Sequence, residues 1–579
     1  MSKLSHSRAH HLSTAVSTPG SWGEDNLSEE LDAVMSGKVP SAVAKPEVDD
    51  VGDSLVSVLH LGNPEGQGPK DMFEAQLTHA LEIAEKEVKG MGEYLVEVGG
   101  GEHCFGPSLP LDQAMLDQVM ERISAAAAKW DAASTVIRSH EEVGRCRADI
   151  LMRQRPTSRQ PLEVRVAVIG NVDSGKSTLV GVLTRSILDD GRGLARSKVF
   201  KHGHEESTGR TSCVGQHNLC LDEHGEILNN PMFRATNCGE YVAKSCKVVT
   251  LVDLAGHERY FRTTAYGLTG HMPDYACMVV GANAGLIGMC KEHLGVALAL
   301  KVPTFFVITK CDDICPEHVL KDTLKRLAAV MKKPGIKKRP FVIRTVQDAV
   351  TCARNIQSAN LAPIFLTSAV TGRGLELLRC FFNLMPQRQR WMERASEAAE
   401  FIIDETFGVP GVGTVVAGTL KKGVIKTNST LMLGPDIGDG SFHPSSVKSI
   451  HYKRMPVTQV VAGQTAALAL KKVKRSSVRK GMVLVDASLR PVASWEFDAD
   501  IAILTHATTI QPRYQAVIHC EIIRQAARVV AMDNERLRSG DRAVVRFRFL
   551  QRPEYITPGA RFVFREGRTK GIGVVTAAY

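Results

Sequence analysis

No hydrophobic run in the 579-residue chain approaches the roughly 20 residues that a helix needs to cross a bilayer, so no membrane partner is expected. The first 22 residues contain Lys3 and Arg8 but no apolar core, which excludes a secretory signal and argues against a mitochondrial presequence. The 13 cysteines are odd in number and irregularly spaced, so they form no disulfide framework and suit a reducing compartment; the cytoplasm is the expected location. Cys311 and Cys315 stand close together, but no second pair lies at zinc-site spacing. Neither sign of charge dominates. Lys and Arg total 72 against 62 Asp and Glu, an excess of +10 that permits a polyanionic partner without demanding one. No short internal repeat is visible.

The rest is ordinary globular composition, 44% hydrophobic and 23% charged, at a length that suits three or four domains. Residues 1–50 are rich in Ser, His, Gly and acid and predict a disordered tail. Residues 51–160 predict a small α+β module: helices over Met72–Val88 and Leu111–Trp130, with a strand over Glu93–Gly100. Within 161–397 apolar strands appear at Leu162–Gly170, Lys247–Asp253, Tyr275–Gly281, Thr304–Lys310 and Pro363–Ser368. Helical stretches separate the later ones, which implies a parallel sheet covered on both faces. From 398 the helices stop. Short alternating strands with Gly and Pro turns predict two small β-barrels, 398–490 and 491–579, divided near SLRPVASWEF.

GNVDSGKST (Gly170, Asn171, Val172, Asp173, Ser174, Gly175, Lys176, Ser177, Thr178) fits G-x-x-x-x-G-K-[ST] between a strand and a helix. In that context backbone amides cradle phosphates, Lys176 reaches the β- and γ-phosphates and the Ser177 hydroxyl ligates Mg²⁺. VTLVDLAGH ends a second apolar strand on Asp253, a second group for the Mg²⁺ site. Gly256 follows, where a side chain would obstruct the γ-phosphate, and then His257, placed to hold the attacking water. The bland alternative for His257 is a surface histidine closing a turn. TKCD ends a later strand: the Asp312 carboxylate accepts from guanine N1–H and the 2-amino group, donors that adenine does not offer together, while the Lys310 stem lies along the base and Thr309 precedes it. TSAVTG adds Ser368, Ala369 and Val370 after the last strand, in position to donate to guanine O6. In STGRTSCVG, Thr211 is the candidate second Mg²⁺ ligand on a loop that senses the γ-phosphate. The expected ligands are therefore GTP or GDP with Mg²⁺.

In this order the four motifs resemble those of the translational GTPases, whose mark is a histidine after Asp-Leu-Ala-Gly. LDDGRGLARSKVF, KEHLGVALAL, VPGVGTVVAGT, KKVKRSSVRKGM and VFREGRTK are similar to a narrower group, the GTP-binding protein 1 and 2 family, relatives of elongation factor Tu and eukaryotic elongation factor 1-alpha. The resemblance covers roughly residue 151 to the end, and more loosely the module from residue 70. It implies an α/β P-loop GTPase domain followed by two β-barrels, GTP hydrolysis with His257 and Lys176 as catalytic residues, and the ribosome and tRNA as partners in elongation, ribosome rescue or mRNA surveillance. A monomer is expected. Three positions depart from the elongation factors: Thr309 replaces Asn, as the family has it; Arg210 replaces an apolar gate residue opposite Val172; and the segment between Thr211 and Asp253 is longer, with LDEHGEILNN reading as a hairpin turn.

An alternative reading is a GTP-switched adaptor that docks RNA-decay machinery and uses hydrolysis only to reset. His202 and His204 stand one residue apart without further ligands and read as structural. Lys453, Arg454, Lys471, Lys472, Lys474, Arg475, Arg479 and Lys480 form basic runs in the first barrel and, with Arg561, Arg565, Arg568 and Lys570 in the second, read as an RNA-phosphate surface. Trp495 and Tyr514 read as core.

Overall fold

The computed structural model describes residues 69–99, 112–142, 145–156, 160–229, 238–312, 315–333, 336–358, 360–506, 508–566 and 569–579. The expected N-terminal tail lies outside these residues.

The first layer is two helices on a sheet. Helix α1 (Pro69–Met91) buries Leu77, Ala84 and Val88, and α2 (Gln113–Lys129) buries Leu116, Val119, Ile123 and Ala127, in each case a helical stripe. Asp112 caps α2 by accepting from the Met115 amide at 2.7 Å. The sheet has the order β1 (Glu93–Val98), β3 (Arg145–Gln154), β2 (Ala132–Glu142), all antiparallel. The sequence reading lacked β2 and β3, and charge is the reason. One face of β3, with Cys146, Ala148, Ile150 and Met152, packs under the helices. The other carries Asp149, Leu151 and Arg153, and all three are buried against the next domain. A strand with ionised side chains on a buried face has no apolar alternation to read.

Those charges are paired. Arg153 donates from Nε to Glu93 Oε2 at 2.9 Å and from Nη2 to the Asn383 carbonyl at 2.8 Å. Lys247 donates to Glu93 Oε1 at 2.6 Å and to the carbonyls of Asn383 and Met385 at 2.8 and 2.6 Å. Arg354 joins Glu97 and Asp149 at 2.5 and 2.7 Å. Burial opposes the charge on Glu93, but Lys247 and Arg153 outweigh it and hold the carboxyl below the usual range.

The second layer is a seven-stranded sheet in the order β5 (Gly215–Leu221), β6 (Lys247–Asp253), β4 (Leu162–Gly170), β7 (Tyr275–Gly281), β8 (Thr304–Thr309), β10 (Leu361–Leu366), β9 (Arg339–Val342). Only β5 runs antiparallel to its neighbour. Every residue of β4, β6, β7 and β8 is buried, as a sheet covered on both faces requires. The sequence reading missed the edge strands β5 and β9. The expected hairpin after β5 is present: the Asp222 amide donates to the Glu226 carbonyl at 3.0 Å, and Asp222 Oδ1 accepts from the amides of His224 and Glu226 at 2.9 and 2.8 Å. The first layer grips this turn. Arg153 Nη1 donates to the Asp222 carbonyl at 3.3 Å, Arg155 meets Glu223 at 2.9 Å, and Thr135 Oγ1 lies 2.9 Å from His224 Nδ1.

Two barrels follow. In the first, Thr430–Gly434 pairs with both Val483–Val485 and His443–Tyr452, which closes the ring through Glu400–Val409, Gly413–Lys422 and Thr465–Leu470. In the second, Thr569–Ala578 pairs back onto Glu496–Thr505 and closes the barrel around Phe497, Phe547 and Phe562. The first barrel locks to β4. Glu163 accepts from Lys453 Nζ at 3.0 Å, Arg165 Nε at 3.1 Å, Thr465 Oγ1 at 3.2 Å and the Tyr452 hydroxyl at 3.3 Å. Lys421 bridges the barrels, 3.1 Å from Glu400 and 2.8 Å from Glu521.

Glu93→Gln leaves Arg153 and Lys247 buried without a counter-charge. It should cost about 3–5 kcal/mol, because losing one partner of a buried ion pair strands the other. Urea unfolding of wild type and variant measures this, and an unchanged midpoint would show that the carboxylate is dispensable.

Candidate nucleotide-binding site

β4 ends at Gly170 because nothing larger fits: a Cβ there would stand 2.2 Å from the Val279 carbonyl on β7. The loop then turns through two left-handed residues, Asp173 (φ +57°) and Gly175 (φ +86°), and opens helix α3 (Lys176–Arg185). Inside it Ser174 Oγ donates to the Asn171 carbonyl at 2.9 Å, and Lys176 Nζ donates to the same carbonyl at 2.6 Å. Lys176 is buried, which lowers its pKa, while Asp253 opposes the shift. Val172 is half-buried and Thr178 lies in the first turn of α3. Gly256 closes over the loop from the end of β6. Its would-be Cβ lies 2.5 Å from Lys176 Nζ and 2.7 Å from the Asn171 carbonyl carbon, so any side chain here displaces the lysine.

Three oxygens converge below the loop. Ser177 Oγ is 2.6 Å from Thr211 Oγ1 and donates to Asp253 Oδ2 at 2.6 Å; Thr211 Oγ1 lies 3.4 Å from the same carboxylate oxygen. Asp253 Oδ1 is buried and has no hydrogen-bond partner. Burial raises the Asp253 pKa, and the Ser177 hydroxyl works against it. Two hydroxyls and a carboxylate with an unsatisfied oxygen are the donor set of a hard divalent cation.

Thr211 is held there by a residue that the sequence reading missed. Glu205 is buried and accepts from the Ser212 amide at 2.7 Å, Ser212 Oγ at 2.8 Å, and the amides of Lys201, Cys213 and His202 at 3.1, 3.2 and 3.3 Å. An acid inside a polar loop gives no pattern to detect. Arg210 beside it is exposed. His204 Nε2 lies 2.8 Å from Ser212 Oγ and its ring stacks on His202, so the histidine pair supports the loop.

His257 is exposed. Its Nδ1 accepts from the Arg259 amide at 3.1 Å and caps the short helical turn Glu258–Tyr260. Behind the phosphate loop stands a different histidine: His293 is fully buried, accepts from the Gly170 amide through Nδ1 at 3.3 Å and stacks on Phe261.

On the far side of the loop Thr309 Oγ1 donates to the Ser174 carbonyl at 2.6 Å, tying the end of β8 to the phosphate loop. Lys310 adopts φ +62°. Asp312 Oδ2 accepts from Ser368 Oγ at 3.0 Å, while Asp312 Oδ1 is buried with no partner. The Ala369 carbonyl accepts from the Asp189 amide at 2.9 Å, and Val370 is exposed. Asn171, Ser174, Lys176, Ser177, Thr211, Asp253, Gly256 and Thr309 thus gather around one loop, Asp312 and Ser368 meet each other, and His257 contacts only its own turn among the described residues.

The basic runs do not form one surface. The Lys453 side chain is buried on Glu163, Arg479 pairs with Glu554 at 2.9 Å, and Arg565 lies 4.0 Å over the Phe261 ring. Lys471, Lys472, Lys474, Arg475 and Lys480 are exposed on the first barrel, and Arg561 on the second. Arg568 and the Lys570 side chain lie outside the described residues. Trp495 is 39% exposed with Arg548 over its ring, not core, whereas Tyr514 packs against the barrel interior.

These burials carry a pH signature. Burial holds His293 at about 3 and His519 at about 4, so both stay neutral when folded and take up protons on unfolding. At these two positions the unfolded chain binds more protons between about pH 6.5 and 4, so their contribution to stability falls as the pH drops, against an opposite contribution from Asp274, which burial raises to about 6. Glu205 is lowered as well: burial raises it, but the donors of Ser212 and its neighbours bring it to about 2, so its stabilisation is intact above about pH 4.5 and is lost as the pH falls toward 2. Melting temperature should therefore decline already between pH 6.5 and 4.5, and His293→Gln should flatten that decline by at most about 1.4 kcal/mol per pH unit. Melting curves against pH for both proteins check it; parallel profiles would overturn the assignment.

Comparison with known proteins places this geometry in a family. The elongation factor Tu GTP-binding domain model matches residues 163–387, and the elongation factor Tu domain 2 model matches residues 413–485. GTP-binding protein 1 of Xenopus laevis is 48% identical over 497 residues, 86% of this chain and 75% of that one. GTP-binding protein 2 of Mus musculus is 42% identical over 498 residues, 84% of this chain and 82% of that one. Among solved structures, the bacterial selenocysteine-specific elongation factor EF-Sec shares the fold with a TM-score of 0.52 at 19% identity; the match covers 71% of this chain and spans 58% of that factor. The chain belongs to the GTP-binding protein 1 and 2 family of the translational GTPases, a superfamily that binds guanine nucleotides and hydrolyses GTP.

Proposed function

We propose that the protein is a translation-type GTPase that hydrolyses GTP to GDP and phosphate when it engages the ribosome, with tRNA as a further partner, and that it works in the cytoplasm. The observation that carries this reading is the meeting of Ser177, Thr211 and Asp253 beneath the phosphate loop, because it links a nucleotide site to a loop that can let go. Amides of Gly170–Thr178 and the Lys176 ammonium bind the phosphates and balance charge on the transferring group. Ser177, Thr211 and Asp253 are the residues that would hold Mg²⁺, which when bound neutralises charge on the β- and γ-phosphates. Loss of the γ-phosphate then frees Thr211 and the segment organised by Glu205.

Asp312 selects the base. Its partnerless Oδ1 and its Ser368-bound Oδ2 suit the two adjacent N–H donors of guanine, with Lys310 along the ring and Ser368–Val370 at its O6 side. Thr309 keeps the two loops together by its hydroxyl bond to the Ser174 carbonyl.

His257 supplies the water-positioning imidazole, and its exposed, locally capped position supports a slow reaction until a partner turns the ring toward the phosphate. Purified ribosomes should stimulate GTP hydrolysis by wild type, and His257→Ala should lower the stimulated rate by at least about 100-fold. Steady-state phosphate release reads both; GTP binding without any ribosome effect would favour an adaptor that docks RNA-decay machinery. Asp312→Asn should shift triphosphate preference from guanosine toward xanthosine by about tenfold or more, since xanthine offers an acceptor where guanine has its amino donor. Competition binding measures it, and unchanged preference would remove Asp312 from base recognition.

A further inference from the structure

A second concave site lies beside the base-recognition loops. It is a cleft of about 720 Å³ between Ser186, at the end of α3, and the loop Thr371–Gly374 with the helix Leu375–Leu384 that follows. Arg344, Arg373 and Arg379 line it, and Glu376 is the one acid among its lining residues. Arg344 and Arg373 are exposed at its edge and Arg379 is half-buried, so three cations face one shared space with a single carboxylate beside them.

Folding does not use these charges. The side chains of Arg344 and Arg379 make no hydrogen bond or ion pair among the described residues, and Arg379 Nε is buried without an acceptor. Asp348, four residues after Arg344, spends Oδ2 on the amides of Arg344 and Thr345 at 2.9 Å each. Among the described residues the Arg373 side chain donates one long bond, 3.4 Å, to the Cys311 carbonyl. The helix that floors the cleft starts at Gly374 (φ +71°) with no side-chain cap, so its positive end faces the same anion-seeking groups.

We propose that this cleft binds a phosphate-bearing ligand, separate from the guanine nucleotide, with Arg344 and Arg379 as its principal contacts. Guanidinium forks match phosphate oxygens two at a time, and a ligand carrying several such oxygens satisfies the unpaired donors that the fold leaves in place. The same chemistry is offered by an RNA backbone and by a free phosphate compound. The contact is transmissible: the Arg373 carbonyl accepts from the Ser368 amide at 3.0 Å, and its side chain touches Cys311, so an occupant lies against both loops that carry Asp312 and Ser368.

The test uses the full chain saturated with GDP, so that the phosphate loop is filled. Hydrogen–deuterium exchange over residues 371–379 is followed while inorganic pyrophosphate, or a 12-nucleotide single-stranded RNA, is titrated. At least one probe should slow local exchange about threefold or more, and Arg344→Ala/Arg379→Ala should weaken the apparent affinity roughly tenfold. Protection by RNA alone assigns the ligand to a nucleic-acid backbone, and protection by pyrophosphate assigns it to a free phosphate compound. Arg379→Lys, which keeps the charge, should restore part of the effect, and an unchanged melting temperature in each variant shows that the fold is intact. The readout is local, so failure of GDP to bind would count against the nucleotide reading and leave this result legible. No protection by either probe, or equal protection in the double variant, overturns the proposal.

Discussion

One carboxylate fixes how the domains meet. Glu163 is the second residue of β4, the strand whose other end opens the phosphate loop, and it is buried. Burial alone would neutralise it. Instead Lys453 and Arg165 hold it ionised, with its pKa near 2, and Tyr452 and Thr465 complete the shell. Because these partners come from both the parallel sheet and the barrel, the two cannot shift apart without stranding a charge, which costs several kcal/mol. Arg165 extends the constraint: it reaches the Gly463 carbonyl in the barrel, and its amide is held by Asp274 at 2.8 Å. β4 is therefore an axis, with the barrel anchored at one end and the nucleotide loop at the other.

The same logic recurs at each junction. Glu93 joins Arg153 and Lys247 under the first layer, Lys421 joins Glu400 and Glu521 between the barrels, and Arg479 meets Glu554. Buried ion pairs add little net stability compared with apolar packing, but a mispaired one is heavily penalised, so they favour one arrangement over its neighbours. If the Thr211 loop releases and rebinds as proposed, domains that meet in a single way give it a fixed frame to return to. The Thr211 loop is built differently, around the buried Glu205 carboxylate and the Ser212 amide and hydroxyl that donate to it.

How far all this can be read from sequence follows from where each partner sits. The central strands β4, β6, β7 and β8 are continuous apolar runs, and the barrel strands alternate, so both were legible. The glycines of the phosphate loop and Gly256 were legible because backbone approach leaves no space for a side chain. β2 and β3 were not, since their buried face is charged and its partners lie far along the chain. Lys453 looked like a surface cation because Glu163 stands 290 residues earlier. Glu205 sat in an unremarkable polar loop, and His293, buried against the Gly170 amide, had no motif to announce it. Trp495 misled in the opposite sense: its ring is covered by Arg548 at 5.7 Å rather than by the core.

The long reach of the first layer's charges has a consequence for how the chain is made. Glu93 waits for Lys247, which is 154 residues later, and Arg153 waits for the Asn383 carbonyl, 230 residues later. At a synthesis rate of about 5–20 residues per second the arginine spends on the order of 10–50 seconds without its acceptor. The helices of the first layer can pack on their own side of β3 in that time, but the charged face stays open to water until the last helix of the parallel sheet has emerged. The face that waits is therefore mixed, with Leu151 between the charges of Asp149 and Arg153, and its hydrogen bonds to the parallel-sheet domain are complete only once residue 383 has been made.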